Sequence, residues 1–165
     1  MTQASRTVPP LEHLPLVVML GALALCLGTT VSAQGPETFK ARLSPVPIDV
    51  SMQARIAGSG SVTATLAGTK LTLSGNFEGL HSPASGAQLH RGLKGVRGPA
   101  VFDLTVSKDV RGTISGTIDL TAPQINDLKM GRFYVQIDSV GAPAPDGNLW
   151  GWLLTPPPPR TGTQQ

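Results

Sequence analysis

The chain is poor in cysteine, in charge and in aromatic rings. Its one cysteine, Cys26, lies inside an apolar N-terminal run. A domain cut free of that run has no disulfide, no thiolate metal ligand and no cysteine nucleophile. It must rest on its core alone, and about 130 residues suffice for that. Charged residues are only 14% of the chain, too few for a segment held open by self-repulsion. The net charge of +3 is scattered, with one local cluster at Arg91, Lys94 and Arg97. Nucleic-acid binding asks for a dense stripe of bases, or for bases interleaved with aromatics. Neither is present, so no nucleic-acid partner is expected and the cluster reads as a solvated loop. Also missing are a Gly-x-Ser-x-Gly elbow, a phosphate-cradling glycine loop ahead of a helix and any arguable pair of catalytic carboxylates.

Glycine and proline, by contrast, number 19 and 15. From Gly58 onward Thr, Ser, Val and Gly dominate, which is a strand-and-turn vocabulary. Ahead of it, Leu14 to Leu27 is an apolar run of fourteen residues, counting Pro15 and Gly21. That is a signal-peptide core and falls short of the ~20 residues a spanning helix needs. Val31 and Ala33 stand at −3 and −1 of an A-x-A-like site. The expectation is a signal peptide over residues 1–33, cut after Ala33, and an exported, periplasmic or extracellular product. The alternative is a retained anchor tying the domain to the membrane through residues 14–33. A linker over 34–38, a domain over 39–154 and a Pro-rich tail over 155–165 complete the expected organisation.

Within the domain, Phe39 to Leu43 alternates apolar and polar, as a half-buried strand does. Ser51 to Ile56 reads as an edge strand. Ser61 to Leu66 and Lys70 to Phe77 form a hairpin about Ala67-Gly68-Thr69. Further strands are expected over Ala87 to Arg91, Ala100 to Val106, Thr113 to Leu120, Arg132 to Ser139 and Asn148 to Leu154. One short helix begins at Thr121-Ala122-Pro123-Gln124, a capping-box spacing with Pro in the first turn, and ends at Gly131. Many short strands with a single helix before the last two predict an antiparallel β-sandwich.

The order of these pieces resembles the CHRD domain. The resemblance rests on Phe39-Lys40-Ala41-Arg42-Leu43, on Gly86 to Gly92, on Gly98 to Leu104, on Leu128 to Asp138 and on Pro145 to Leu153. It implies an immunoglobulin-like antiparallel β-sandwich, an extracytoplasmic location and no established catalytic activity. Polar positions depart from the family pattern. Where the family has His-x-His, this chain has Gln88-Leu89-His90. Where it has Tyr-Val-Asn-Val-His, this chain has Gln136 and Asp138 in place of the Asn and the last His. Its closing Gly-Glu-x-Arg-Gly is Gly147-Asn148-Leu149-Trp150-Gly151 here. The apolar alternation is kept, so the pattern suggests a preserved fold with a remodelled polar face.

That face supplies the candidate binding residues. Gln88 and His90 are two apart on one strand and share a side, as do Tyr134, Gln136 and Asp138, and Trp150 and Trp152. On neighbouring strands they would form one patch, with His90 beside Asp138 as a surface ion pair. The leading reading is a non-enzymatic, extracytoplasmic module that binds a protein partner or serves as an accessory subunit, with no cofactor. A copper- or zinc-binding alternative rests on His81 and His90, since Glu78 to His90 resembles a strand of copper,zinc superoxide dismutase. Two histidines and an aspartate are a poor ligand set for either metal. A carbohydrate-binding alternative uses Trp150 and Trp152 as a platform. Against it, large aromatics on strands are commonly packed, with the indole N–H on a buried acceptor.

Overall fold

The structure, a computed structural model, describes residues 35–45 and 49–158. The expected signal segment and the end of the tail lie outside the described residues. Among the described residues eight strands are formed: β1 (Glu37–Pro45), β2 (Ser59–Ala67), β3 (Lys70–Glu78), β4 (Ala84–Arg91), β5 (Ala100–Val106), β6 (Gly112–Asp119), β7 (Phe133–Ser139) and β8 (Leu149–Trp152). One α-helix, α1 (Ala122–Lys129), links β6 to β7. All neighbours are antiparallel, in the order β1-β2-β3-β6-β5-β4-β7-β8, and the sheet closes on itself as a barrel.

The expected immunoglobulin-like sandwich is therefore not what forms. Two corners close the sheet. At the first, β5 pairs with β4 as far as Leu104 and then passes to β6, where Thr105 and Val106 face Ser115 and Ile114. At the second, Ser44 and Pro45 of β1 face Trp150 and Leu149 of β8, and Lys40 and Leu154 exchange backbone hydrogen bonds of 2.8 and 3.0 Å. Most of the edge that an open sandwich would leave bare is paired instead, except on the β6 side of β5 from Ala100 to Asp103. The predicted edge strand over Ser51 to Ile56 is also absent. Asp49 Oδ1 accepts the Met52 N–H at 3.0 Å and starts a single 3-10 turn, Val50–Met52. Met52 and Ile56 then pack with Ala142 as a small satellite core.

The barrel interior follows the alternation of the strands. Leu43, Ala64, Leu71, Leu89, Val135 and Leu149 are all at or below 1% exposure. Each fully buried large aliphatic contributes about 1.5–3 kcal/mol. The β2–β3 hairpin turns through Gly68 and Thr69, and Gly68 supplies the positive φ of +62° that this turn requires. At the start of α1, Gln124 Oε1 accepts both the Thr121 N–H and its hydroxyl. At its end, Gly131 at φ +67° donates to Leu128 O and Arg132 donates to Asp127 O, the two bonds of a Schellman cap. Leu128 and Ile125 point back into the main core.

The winding gathers the β2–β3 turn, the β4–β5 loop and α1 at one end of the barrel. The β1–β2, β3–β4, β5–β6 and β7–β8 links gather at the other.

Candidate functional site

The register of β4, β7 and β8 places all seven candidate residues on one outer face of the barrel. Tyr134 lies between His90 and Trp152, Gln136 lies between Gln88 and Trp150, and Asp138 faces Gly86. The face is not open to solvent. Every residue of β7 is buried, Gln136 to 1% and Tyr134 to 1%, and His90, Asp138 and Trp150 are buried with them. Only Gln88 and Trp152 stay half-buried.

Two loops cover this face, one from each end of the barrel. The β4–β5 loop is fastened by Gly98: its N–H donates to the Tyr134 hydroxyl at 3.1 Å, and its carbonyl accepts from that hydroxyl at 3.1 Å. The same carbonyl accepts from His90 Nδ1 at 2.9 Å, which fixes the ring proton on Nδ1. The β7–β8 loop is fastened by Trp150, whose Nε1–H donates to Asp146 O at 3.0 Å. Gly147, at φ +69°, lies so close to Gln136 that a Cβ there would come within 2.6 Å of its Cδ. Arg97 joins the two loops. Its guanidinium is 2.7 Å from Asp146 Oδ1 and stands 5.4 Å from the centre of the Trp150 ring.

Beneath the loops the rings form a continuous layer. His90 stacks on Tyr134 with centroids 4.8 Å apart and planes at 19°. Tyr134 stacks in turn on Trp150 at 5.3 Å and leans on Trp152 at 4.9 Å. Such pairs add about 0.5–1.5 kcal/mol each beyond the area they bury. The face thus works as a second, outer core.

Its electrostatics follow from that burial. Burial pushes the Asp138 carboxyl above the ordinary carboxylate range; the hydrogen bond from Gln136 Nε2 at 2.8 Å, with His90 and Lys108, pulls the other way. Burial likewise pushes the Tyr134 phenol up, opposed by the Gly98 bond and by Arg97. The anticipated surface pair of His90 with Asp138 is not formed: His90 is held by Gly98 and Asp138 by Gln136. Three buried side-chain atoms of this face, His90 Nε2, Gln136 Oε1 and Trp152 Nε1, have no hydrogen-bond partner.

His81, the other histidine of the copper or zinc alternative, sits on the β3–β4 link at the far end of the barrel, with Nδ1 3.2 Å from Ala54 O. Among the described residues no group of three or more His, Cys, Asp or Glu converges as a metal site requires. The platform proposed for Trp150 and Trp152 is covered at Trp150 and tilted at Trp152, with 47° between the two rings.

Gly98, Arg97, Asp146 and Gly147, which seal the face, were not singled out by sequence reasoning. Gly98, Asp146 and Gly147 fall within segments that carry the family resemblance and Arg97 within the basic cluster, but the sequence alone gives them no partner. Asp103 was missed too. On the exposed rim it accepts from Gln88 Nε2 at 3.0 Å.

The CHRD domain matches residues 39–151, and the chain belongs to the CHRD domain family. CHRD domains occur in extracellular or secreted proteins. No curated protein and no solved structure matches the chain. No helix among the described residues is long and apolar enough to cross a membrane.

Proposed function

We propose that this chain is an extracytoplasmic, non-enzymatic CHRD module that binds a protein partner along the outer edge of β5. The observation that carries the reading is the parting of β5 from β6. From Ala100 to Asp103 the strand pairs with β4 on one side, and among the described residues it has no ladder partner on the other. Over the paired side, across β4 and β5, lies a groove of about 460 Å³ lined by Gln88, Ala100, Val101, Phe102 and Asp103; the free edge faces the other way, toward β6. An extended segment added there gains main-chain hydrogen bonds, and the half-buried Phe102 and Val101 offer it apolar contact. Of the seven candidate residues, Gln88 is the one that lines this groove.

The non-enzymatic part is supported by what the polar face is used for. His90, Tyr134 and Asp138, its titratable groups, are turned into a packed layer beneath two loops. Export rests on the apolar run over Leu14 to Leu27 and on the family's occurrence in secreted proteins.

The test is gentle capture from the native envelope with two baits, the wild-type chain and Asp103→Pro, which caps the free edge. A partner retained by the first and lost by the second, with the melting temperature of the variant unchanged within about 2 °C, bears the reading out. A partner retained equally by both contradicts it.

A further inference from the structure

The β4–β5 loop repeats a triplet of base, glycine and apolar residue: Arg91-Gly92-Leu93, Lys94-Gly95-Val96, Arg97-Gly98-Pro99. Its shape is fixed. Val96 N–H donates to Leu93 O at 2.8 Å across a turn with Gly95 at φ +84°, which puts Lys94 at the tip. At the stem, Arg91 N–H donates to Pro99 O at 3.0 Å, and a Cβ on Gly98 would run into the Arg91 carbonyl. Tyr134 and His90 hold the same stem from below. Such a loop keeps its apolar residues where they are, and both point outward: Leu93 is 60% exposed and Val96 54%.

The neighbouring surface continues the pattern. Gly92 N–H donates to Arg132 O at 2.8 Å, so the segment after α1 lies against the loop. That segment carries Met130, 56% exposed, beside Leu154, which packs over Gly131. Four of the exposed large apolar residues, Leu93, Val96, Met130 and Leu154, therefore share one end of the barrel; Val50 and Val140 lie at the other. The bases of this end outnumber its acids. Lys70, Arg91, Lys94, Lys129 and Arg132 stand against Glu37, Asp119 and Asp127, and each of these acids is held by one or two of the bases, Asp127 by both Arg91 and Arg132.

We infer that this end of the barrel docks on an anionic lipid surface, with Leu93, Val96 and Met130 entering the headgroup boundary and the surrounding bases facing the phosphates. An acidic protein answers the charge alone and leaves these apolar tips without cover. An anionic bilayer answers both, since an apolar boundary lies directly beneath a layer of negative charge. The contact is independent of the apolar segment over residues 14–33 and of the β5 edge.

The test uses residues 34–165, which retain every strand and the core of the described residues, with a thermal melt as the check on folding. Binding is measured by co-sedimentation with phosphatidylcholine vesicles carrying about 30% phosphatidylglycerol, in about 50 mM salt. The expected result is retention on these vesicles, none on phosphatidylcholine alone, and release as salt rises toward about 0.5 M. Leu93→Ser with Val96→Ser should weaken partitioning on the order of tenfold, as should Lys94→Glu with Arg132→Glu, and Val50→Ser with Val140→Ser should change nothing. No retention on anionic vesicles, or retention indifferent to the first two pairs of changes, overturns the inference. Retention on a polyglutamate surface without retention on vesicles overturns it in favour of an acidic protein.

Discussion

Replacing His90 with alanine removes a ring that is 7% exposed, stacked 4.8 Å from Tyr134 and bonded through Nδ1 to Gly98 O. Three losses combine. The hydrogen bond is worth about 1 kcal/mol. The stacked pair adds about 0.5–1.5 kcal/mol. The space left under the β4–β5 loop costs about 1 kcal/mol more, because the loop is pinned elsewhere and closes over it only in part. The total is about 3 kcal/mol. In a domain of this size that lowers the melting temperature by about 10 °C. His90→Phe keeps the stack and loses only the bond, so it should cost about 1 kcal/mol. The assay is denaturant unfolding followed by tryptophan fluorescence, with the midpoint shifted and the slope unchanged. A loss below about 0.5 kcal/mol for His90→Ala would mean that the ring lies loose on the surface, and the outer core described here would be wrong.

Three further outcomes follow from the same geometry. Asp138 holds its proton more tightly in the folded chain than in the unfolded one, so the wild type loses stability as pH rises from below the ordinary value of 3.8 through the raised folded value. Asp138→Asn has no such loss and still accepts from Gln136, so it should melt higher than the wild type at pH 7 and show no advantage in strong acid; an advantage that grows on acidification refutes the direction. Gly147→Ala meets both the positive φ of +69° and the buried Gln136 side chain, and should cost about 2 kcal/mol by urea unfolding. N-terminal sequencing of the exported protein should begin at Gln34, whereas an intact mass that includes Met1 would establish a retained anchor.

Much of the local structure is legible in the sequence because it is decided locally. Ala100 to Val106 is read to the residue, since alternation and flanking loops bound it on both sides. The start of α1 at Thr121 and its end at Gly131 are read from cap chemistry. Closure of the barrel is not legible. It depends on Ser44 and Pro45 meeting Trp150 and Leu149, far apart in the chain, and strands alternate identically in a sandwich and in a barrel. The Val50–Met52 turn is missed because Asp49 captures the Met52 N–H before a strand can form, a choice the apolar residues of that stretch do not reveal.

The polar face is the instructive case. Tyr134, Gln136 and Asp138 alternate with Phe133, Val135 and Ile137, so they read correctly as the outward side of β7. Outward of the barrel is not the same as exposed. Gly98 and Gly147, which allow the two loops to lie flat on that side, read only as turn residues until the structure brings them onto Tyr134 and Gln136. The departures from the family pattern, Gln136 and Asp138 in place of Asn and His, fall within this covered layer. Outside that layer lie the rim pair of half-buried Gln88 and exposed Asp103 and the basic, apolar end of the barrel.

Hydrogen exchange read by NMR tests most directly whether that face is sealed. The Trp150 indole N–H, bonded to Asp146 O, and the Gly98 amide, bonded to the Tyr134 hydroxyl, should exchange slowly, with protection approaching that of the Leu89 amide in the core. Exchange of both at the rate of an unprotected amide would contradict the sealed layer and return His90, Gln136 and Asp138 to an open binding surface.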